Sequence, residues 1–225
     1  LISFFLLCAI FLSSCKPKNP TPVLFELMTE AKTGLHFENK LTPTKQFNIF
    51  KYLYFYNGAG IGAADFNNDG KIDLFFTSNQ GQNKLYLNEG NLQFKDVTRE
   101  AKIPNDSAWS TGVSVVDINN DGLLDIYICR VGNYLSLNSH NQLLICQGID
   151  KNGVPYYKDE AHEYGLDFSG FSTQAVFFDY DGDGDLDMYL LNHTIHQNGT
   201  FGERAKLLAT KNPVSGDRLF RNNGN

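Results

Sequence analysis

One nine-residue pattern occurs three times in this chain and limits its fold more than any other feature. It reads Asp65-Phe66-Asn67-Asn68-Asp69-Gly70-Lys71-Ile72-Asp73, then Asp117-Ile118-Asn119-Asn120-Asp121-Gly122-Leu123-Leu124-Asp125, then Asp179-Tyr180-Asp181-Gly182-Asp183-Gly184-Asp185-Leu186-Asp187. The copies start 52 and then 62 residues apart. Self-similarity at such a period marks a repeat architecture. Two weaker motifs follow in step: Asn83–Asn88, Asn141–Cys146 and Asp217–Asn222, and then Phe94–Val97 and Tyr157–Glu160.

Each unit predicts four short strands. The first precedes the acidic loop (Ile61–Phe66, Val113–Ile118, Ala175–Tyr180), and the second follows it (Ile72–Thr77, Leu124–Cys129, Leu186–Leu191). The weaker motifs supply the third and fourth. In the first unit, Ile72, Leu74 and Phe76 are expected on one face of strand two and Phe75 on the other. Strands apolar on both faces are covered on both sides. Repeated four-stranded sheets, each covered by its neighbours, describe an all-β fold of the β-propeller kind. A closed ring takes about four to eight blades, so this chain predicts an incomplete ring of about three.

The expected organisation is a signal peptide over 1–14, a lipidated tether over 15–23, a lead-in over 24–57, and blades over 58–104, 105–168 and 169–225, the last cut short. Leu24–Thr29 echoes Gln93–Thr98 and is expected to be an orphan outer strand that completes the last blade of a longer protein. Leu1–Ser14 carries no charge and is too short to span a bilayer, as in a secretory h-region. Leu12-Ser13-Ser14-Cys15 resembles a bacterial lipobox, with acylation at Cys15 holding the protein on a membrane without a transmembrane helix. That leaves Cys129 and Cys146, expected as buried free thiols, with a disulfide as the alternative.

The acidic loops carry chemistry. A hard cation needs several oxygen ligands converging on one point and a Gly where the chain turns sharply. Positions 1, 3, 5 and 9 supply side-chain oxygens: Asp65, Asn67, Asp69 and Asp73; Asp117, Asn119, Asp121 and Asp125; Asp179, Asp181, Asp183 and Asp187. Position 7 (Lys71, Leu123, Asp185) offers a backbone carbonyl, and position 6 is always Gly. An EF-hand would carry Glu at position 12, where this chain has Phe76, Ile128 and Leu190, so the expected unit is a strand–Ca²⁺ loop–strand. Turn formation alone accounts for Asp-Gly in one copy, but hardly for three copies with the same oxygen-bearing offsets. The third loop, with four Asp at those offsets, is expected to bind Ca²⁺ most tightly. The formal charge of −6 would be cancelled by three such ions.

These motifs resemble FG-GAP/VCBS repeats, the blades of integrin α-subunit propellers, and more closely secreted proteins of the ASPIC/UnbV and cartilage-acidic-protein type. The lead-in Phe47–Gly58 is similar to that of Bacteroidetes lipoproteins. The resemblance implies calcium at the matching acids and a propeller that acts as a scaffold or adhesion surface. Gln174 and Val176 depart from it, standing where the first unit has Gly60 and Gly62.

Strand alternation places the three acidic loops on one face. The long second-to-third-strand loops, Val131–His140 and Asn192–Gly216, open on the other, and Trp109, Tyr134 and Phe201 are candidate partner contacts there. His193 and His196 lack a third ligand for a transition metal, and no nucleophile motif such as GxSxG occurs. The acidic balance without Lys/Arg runs excludes nucleic acid as a partner. The expected function is a non-enzymatic, calcium-binding scaffold on an outer-membrane lipoprotein that binds a surface protein or glycan. The alternatives are an accessory module of a larger secreted enzyme and a periplasmic assembly factor.

Overall fold

The computed structural model describes residues 24–194 and 211–224, with Glu203 and Lys206. The segment expected as a signal peptide, Cys15, His196 and Phe201 lie outside the described residues.

Among the described residues, eleven strands form three antiparallel sheets. The first holds β1 (Ile61–Ala64), β2 (Asp73–Phe76), β3 (Lys84–Gly90) and β4 (Gln93–Asp96) in sequence order. The second holds β5 (Ser110–Val116), β6 (Asp125–Arg130), β7 (Gln142–Ile149) and β8 (Pro155–Asp159) in the same order. The third has β10 (Asp187–Asn192) between β9 (Ser172–Phe178) and β11 (Arg218–Phe220). One helical turn, α1 (Glu30–Thr33), closes on Gly34, whose φ of 73° lets its N–H reach Glu30 O.

The second strands begin one residue later than expected, at the ninth loop position. Asp73 pairs with Ala64, so Ile72 falls outside the ladder and is 55% exposed rather than part of a buried face. Two-sided burial holds best in β6, where every residue is buried. Ile126 and Ile128 pack between the first two sheets with Phe66, Phe75 and Leu85. Tyr127 and Cys129 point the other way, to Ala175, Met188 and Leu190 of the third sheet. The sheets thus stack face to face in chain order, giving a propeller-like all-β architecture. Cys129 lies in one interlayer core and Cys146 in the other, both free and buried. They occupy opposite faces of one sheet and cannot pair.

The first strands run side by side, and two glycines let them approach. A Cβ on Gly112 would lie 2.2 Å from Thr173 O, and one on Gly60 would lie 2.9 Å from Val113 N. Where the third unit departs from this, the Gln174 amide donates to Val113 O (3.2 Å) and Ser114 Oγ (3.3 Å). Val176 is 52% exposed. Gln174 therefore joins β9 to β5 instead of disturbing the packing.

The lead-in relates to the repeats in two ways. Leu24–Thr29 makes no strand, and Leu24, Phe25 and Leu27 are more than 90% exposed. Further along the lead-in, Phe47–Tyr56 is a strap across the strand ends opposite the acidic loops. There Phe47, Tyr52 and Phe55 form a third core with Trp109, Val131 and Phe171.

Candidate metal centres

Each acidic loop is a turn held by its own carboxylates. Asp65 accepts the N–H groups of Asp69 (3.0 Å) and Gly70 (2.8 Å), and Asp117 those of Asp121 (3.1 Å) and Gly122 (2.9 Å). Asp179 accepts from Gly182 (2.7 Å) and Gly184 (3.0 Å). The fourth position (Asn68, Asn120, Gly182) and the sixth (Gly70, Gly122, Gly184) all have positive φ. Asn and Gly tolerate that conformation best, which accounts for the local sequence. Position 7 donates its N–H to position 5: Lys71 to Asp69, Leu123 to Asp121 and Asp185 to Asp183.

The ninth position behaves differently. Asp73, Asp125 and Asp187 are fully buried. One oxygen accepts the position-2 N–H, from Phe66 (2.9 Å), Ile118 (3.1 Å) and Tyr180 (3.1 Å). The other accepts an N–H at the end of the third-strand motif, from Asn88 (2.7 Å), Cys146 (2.8 Å) and Asn222 (2.7 Å). These residues were expected only as closing ligands; they also clamp three segments together. Burial raises the carboxyl pKa of Asp73 and carries that of Asp125 to about 6, with the Asp121 and Asp117 charges adding to the latter.

The donor chemistry fits a hard cation. All side chains at positions 1, 3, 5 and 9 offer oxygen, and in the third loop oxygens of Asp179, Asp181 and Asp187 lie within 4.8 Å of one another. In the first loop Asn67 donates to Gly153 O (3.1 Å), while its own Oδ1 is buried without a partner. A buried carbonyl oxygen in that state is short of a donor or a cation. Side-chain cations already touch two loops. Lys71 pairs with Asp69 (2.7 Å) and this hydrogen bond lowers the Asp69 pKa; Arg221 pairs with Asp181 (3.0 Å).

The opposite face corrects another expectation. Trp109 is 2% exposed and packs edge-on against Phe47 and Tyr52, so it is not a surface contact. The strap that covers it carries its signal in the sequence as the aromatic run Phe47–Tyr56. Tyr134 is half-buried against the strap and donates to Lys51 O (2.7 Å). The His193 ring lies 2.9 Å from Thr194 O through Nδ1 and 2.9 Å from the Tyr52 hydroxyl through Nε2. With Nδ1 donating and Nε2 accepting, neither nitrogen is left to bind a metal.

Residues 65–128, which span the first two acidic loops, match the FG-GAP-like repeat family. Cartilage acidic protein 1 of Mus musculus is 30% identical over 137 residues, and that of Homo sapiens is 31% identical over 137. Each match covers 60% of this chain and 20% of the relative. The frog protein, from Xenopus tropicalis, is 28% identical over 138 residues. The matched region is thus about a fifth of the length of these curated relatives. Loop motif, sheet order and these matches agree: residues 65–128 match the FG-GAP-like repeat within a propeller-like, all-β architecture, and the chain is similar to cartilage acidic protein 1.

Proposed function

We propose that this chain is a calcium-stabilised, non-catalytic scaffold of a cell-surface lipoprotein, binding a protein or glycan on the face away from its acidic loops. The observation that carries the calcium reading is the unpartnered, buried Oδ1 of Asn67, which stands at a ligand position of the first loop. The close approach of Asp179, Asp181 and Asp187 supports the same reading for the third.

Positions 1, 3, 5 and 9 of each loop would hold the ion, with the position-7 carbonyl completing the set. A bound Ca²⁺ supplies positive charge among carboxylates that otherwise repel, so it stabilises the strand-to-strand turn. The chain's own part is to pre-form that turn, with position 1 capping N–H groups and position 9 fixing the start of the second strand. The scaffold reading is supported by the match to FG-GAP-like repeats, and the membrane anchor rests on the motif ending at Cys15.

Calorimetric titration with Ca²⁺ is expected to show three uptake steps, and chelation to lower Tm. Asp181→Asn should weaken the tightest step about tenfold, since ligand charge tunes affinity. A Tm indifferent to chelator, with no uptake, would remove the calcium reading; an unaltered tight step would remove only the ranking of the third loop. Labelling with a fatty acid should disappear in Cys15→Ser, and persistence of the label would refute the anchor.

A further inference from the structure

We infer that the cavity at the leading ends of the three first strands is a subsite for a neutral sugar ring. This deepens the recognition role proposed above and rests on it. The cavity has a volume of about 310 Å³, at the small end of the range for ligand sites. Tyr54 and His193 form its aromatic side, with the buried Trp109 behind them, and Asn57, Thr173 and Gln174 form its polar side. It lies at the strand ends opposite the acidic loops, where the strap meets β5 and β9.

Three features select the ligand class. Among the described residues no carboxylate, ammonium or guanidinium lines the cavity, so a charged ligand would be desolvated there without a counter-charge from them. His193 does not supply that charge, because burial lowers its pKa and its nitrogens are engaged as described. Among the described residues, the side-chain amide of the exposed Asn57, whose backbone N–H donates to Tyr54 O (3.2 Å), and the Tyr54 hydroxyl make no intramolecular hydrogen bond. They remain available to a ligand that brings its own donors and acceptors. A sugar ring joins an apolar C–H face, suited to an aromatic wall, with hydroxyls at its edge.

Tyr54 is half-buried and stacks on His193 with ring centroids 3.9 Å apart. The histidine is fixed in turn by the Tyr52 hydroxyl. The wall is therefore held in place before any ligand arrives, which lowers the ordering cost of binding.

The test is saturation-transfer NMR on the calcium-loaded chain. The probes are glucose, galactose, mannose, N-acetylglucosamine and their β-linked dimers. Transfer from at least one of them is expected, with affinity falling about tenfold in Tyr54→Ala, the upper range for losing an aromatic contact. Asn57→Ala should also weaken binding, while Ca²⁺ uptake on the same samples stays unchanged. No transfer from any probe, or transfer unaltered in both variants, overturns the subsite. If Tyr54→Ala also loses calcium uptake or its melting transition, Asn57→Ala decides alone. Calcium uptake with no sugar binding would leave the calcium-scaffold reading standing and remove only this inference.

Discussion

At the scale of the residue, the three ninth-position aspartates combine two demands. Each is buried as a carboxylate, which is costly, and each offsets that cost by accepting two backbone N–H bonds. The raised pKa of Asp125 reports the burial that these bonds only partly compensate. Its role in the fold is therefore separable from any role in binding an ion. In chelator, Asp125→Asn should destabilise by about 1–3 kcal/mol, because the amide NH₂ faces a backbone donor and leaves it unpaired. Asp181→Asn should change stability by less than about 0.5 kcal/mol under the same conditions, since the exposed side chain gives up one ion pair with Arg221 and the repulsion of Asp179 and Asp187. Thermal unfolding of the two variants compares them directly, and equal losses would show that the clamp adds nothing.

At the scale of the element, each sheet is tied by polar side chains at matching positions. The first residue of the third-strand motif caps the end of the second strand: Asn83 accepts Ser78 N–H (2.9 Å), Asn141 accepts Arg130 N–H (2.8 Å) and Asp217 accepts Asn192 N–H (3.0 Å). Between the first two sheets the closing element is β8. Its Tyr157 is buried, donates its backbone N–H to Ala101 O (3.0 Å), and donates its hydroxyl to Leu124 O (3.3 Å). Between the second and third sheets, a cavity of about 640 Å³ lined by Ile118, Leu166, Phe177, Met188 and Phe220 lies beside β11. No fourth strand flanks β11 among the described residues. Tyr157→Ala should leave a void the size of its ring and cost about 3–5 kcal/mol, the range for removing a buried aromatic ring. A loss below about 1 kcal/mol in denaturant unfolding would mean that the first two sheets do not depend on this plug.

At the scale of the whole molecule, the strap joins parts of the chain that the repeats alone would leave separate. Tyr52 reaches His193 across 141 positions of sequence, and Tyr134 bonds to Lys51 across 83. Phe47, Tyr52 and Phe55 bury against the single tryptophan, Trp109. Each ring contributes about 1.5–3 kcal/mol by its burial. Removing residues 24–57 should shift Trp109 fluorescence to longer wavelength and lower Tm, with the three sheets retained by circular dichroism. Unchanged emission would mean that Trp109 is buried by the repeats alone.

The repeat, its strands and its loops were legible in the sequence because they are local. Alternating apolar residues mark strand period, and Asp, Asn and Gly mark turns through their own backbone preferences. Thus β6 was expected to be covered on both faces, and Gly70, Gly122 and Gly184 were expected at a sharp turn. Tertiary structure decided the rest. Ile72 lies outside its strand because Asp73 is drawn inward by N–H groups from two other segments. Trp109 is buried because a distant strap covers it. Gln174 fits where a glycine was expected because its amide reaches the neighbouring strand. Each outcome depends on which non-local group arrives beside a residue, and that is determined only when the sheets and the strap pack together.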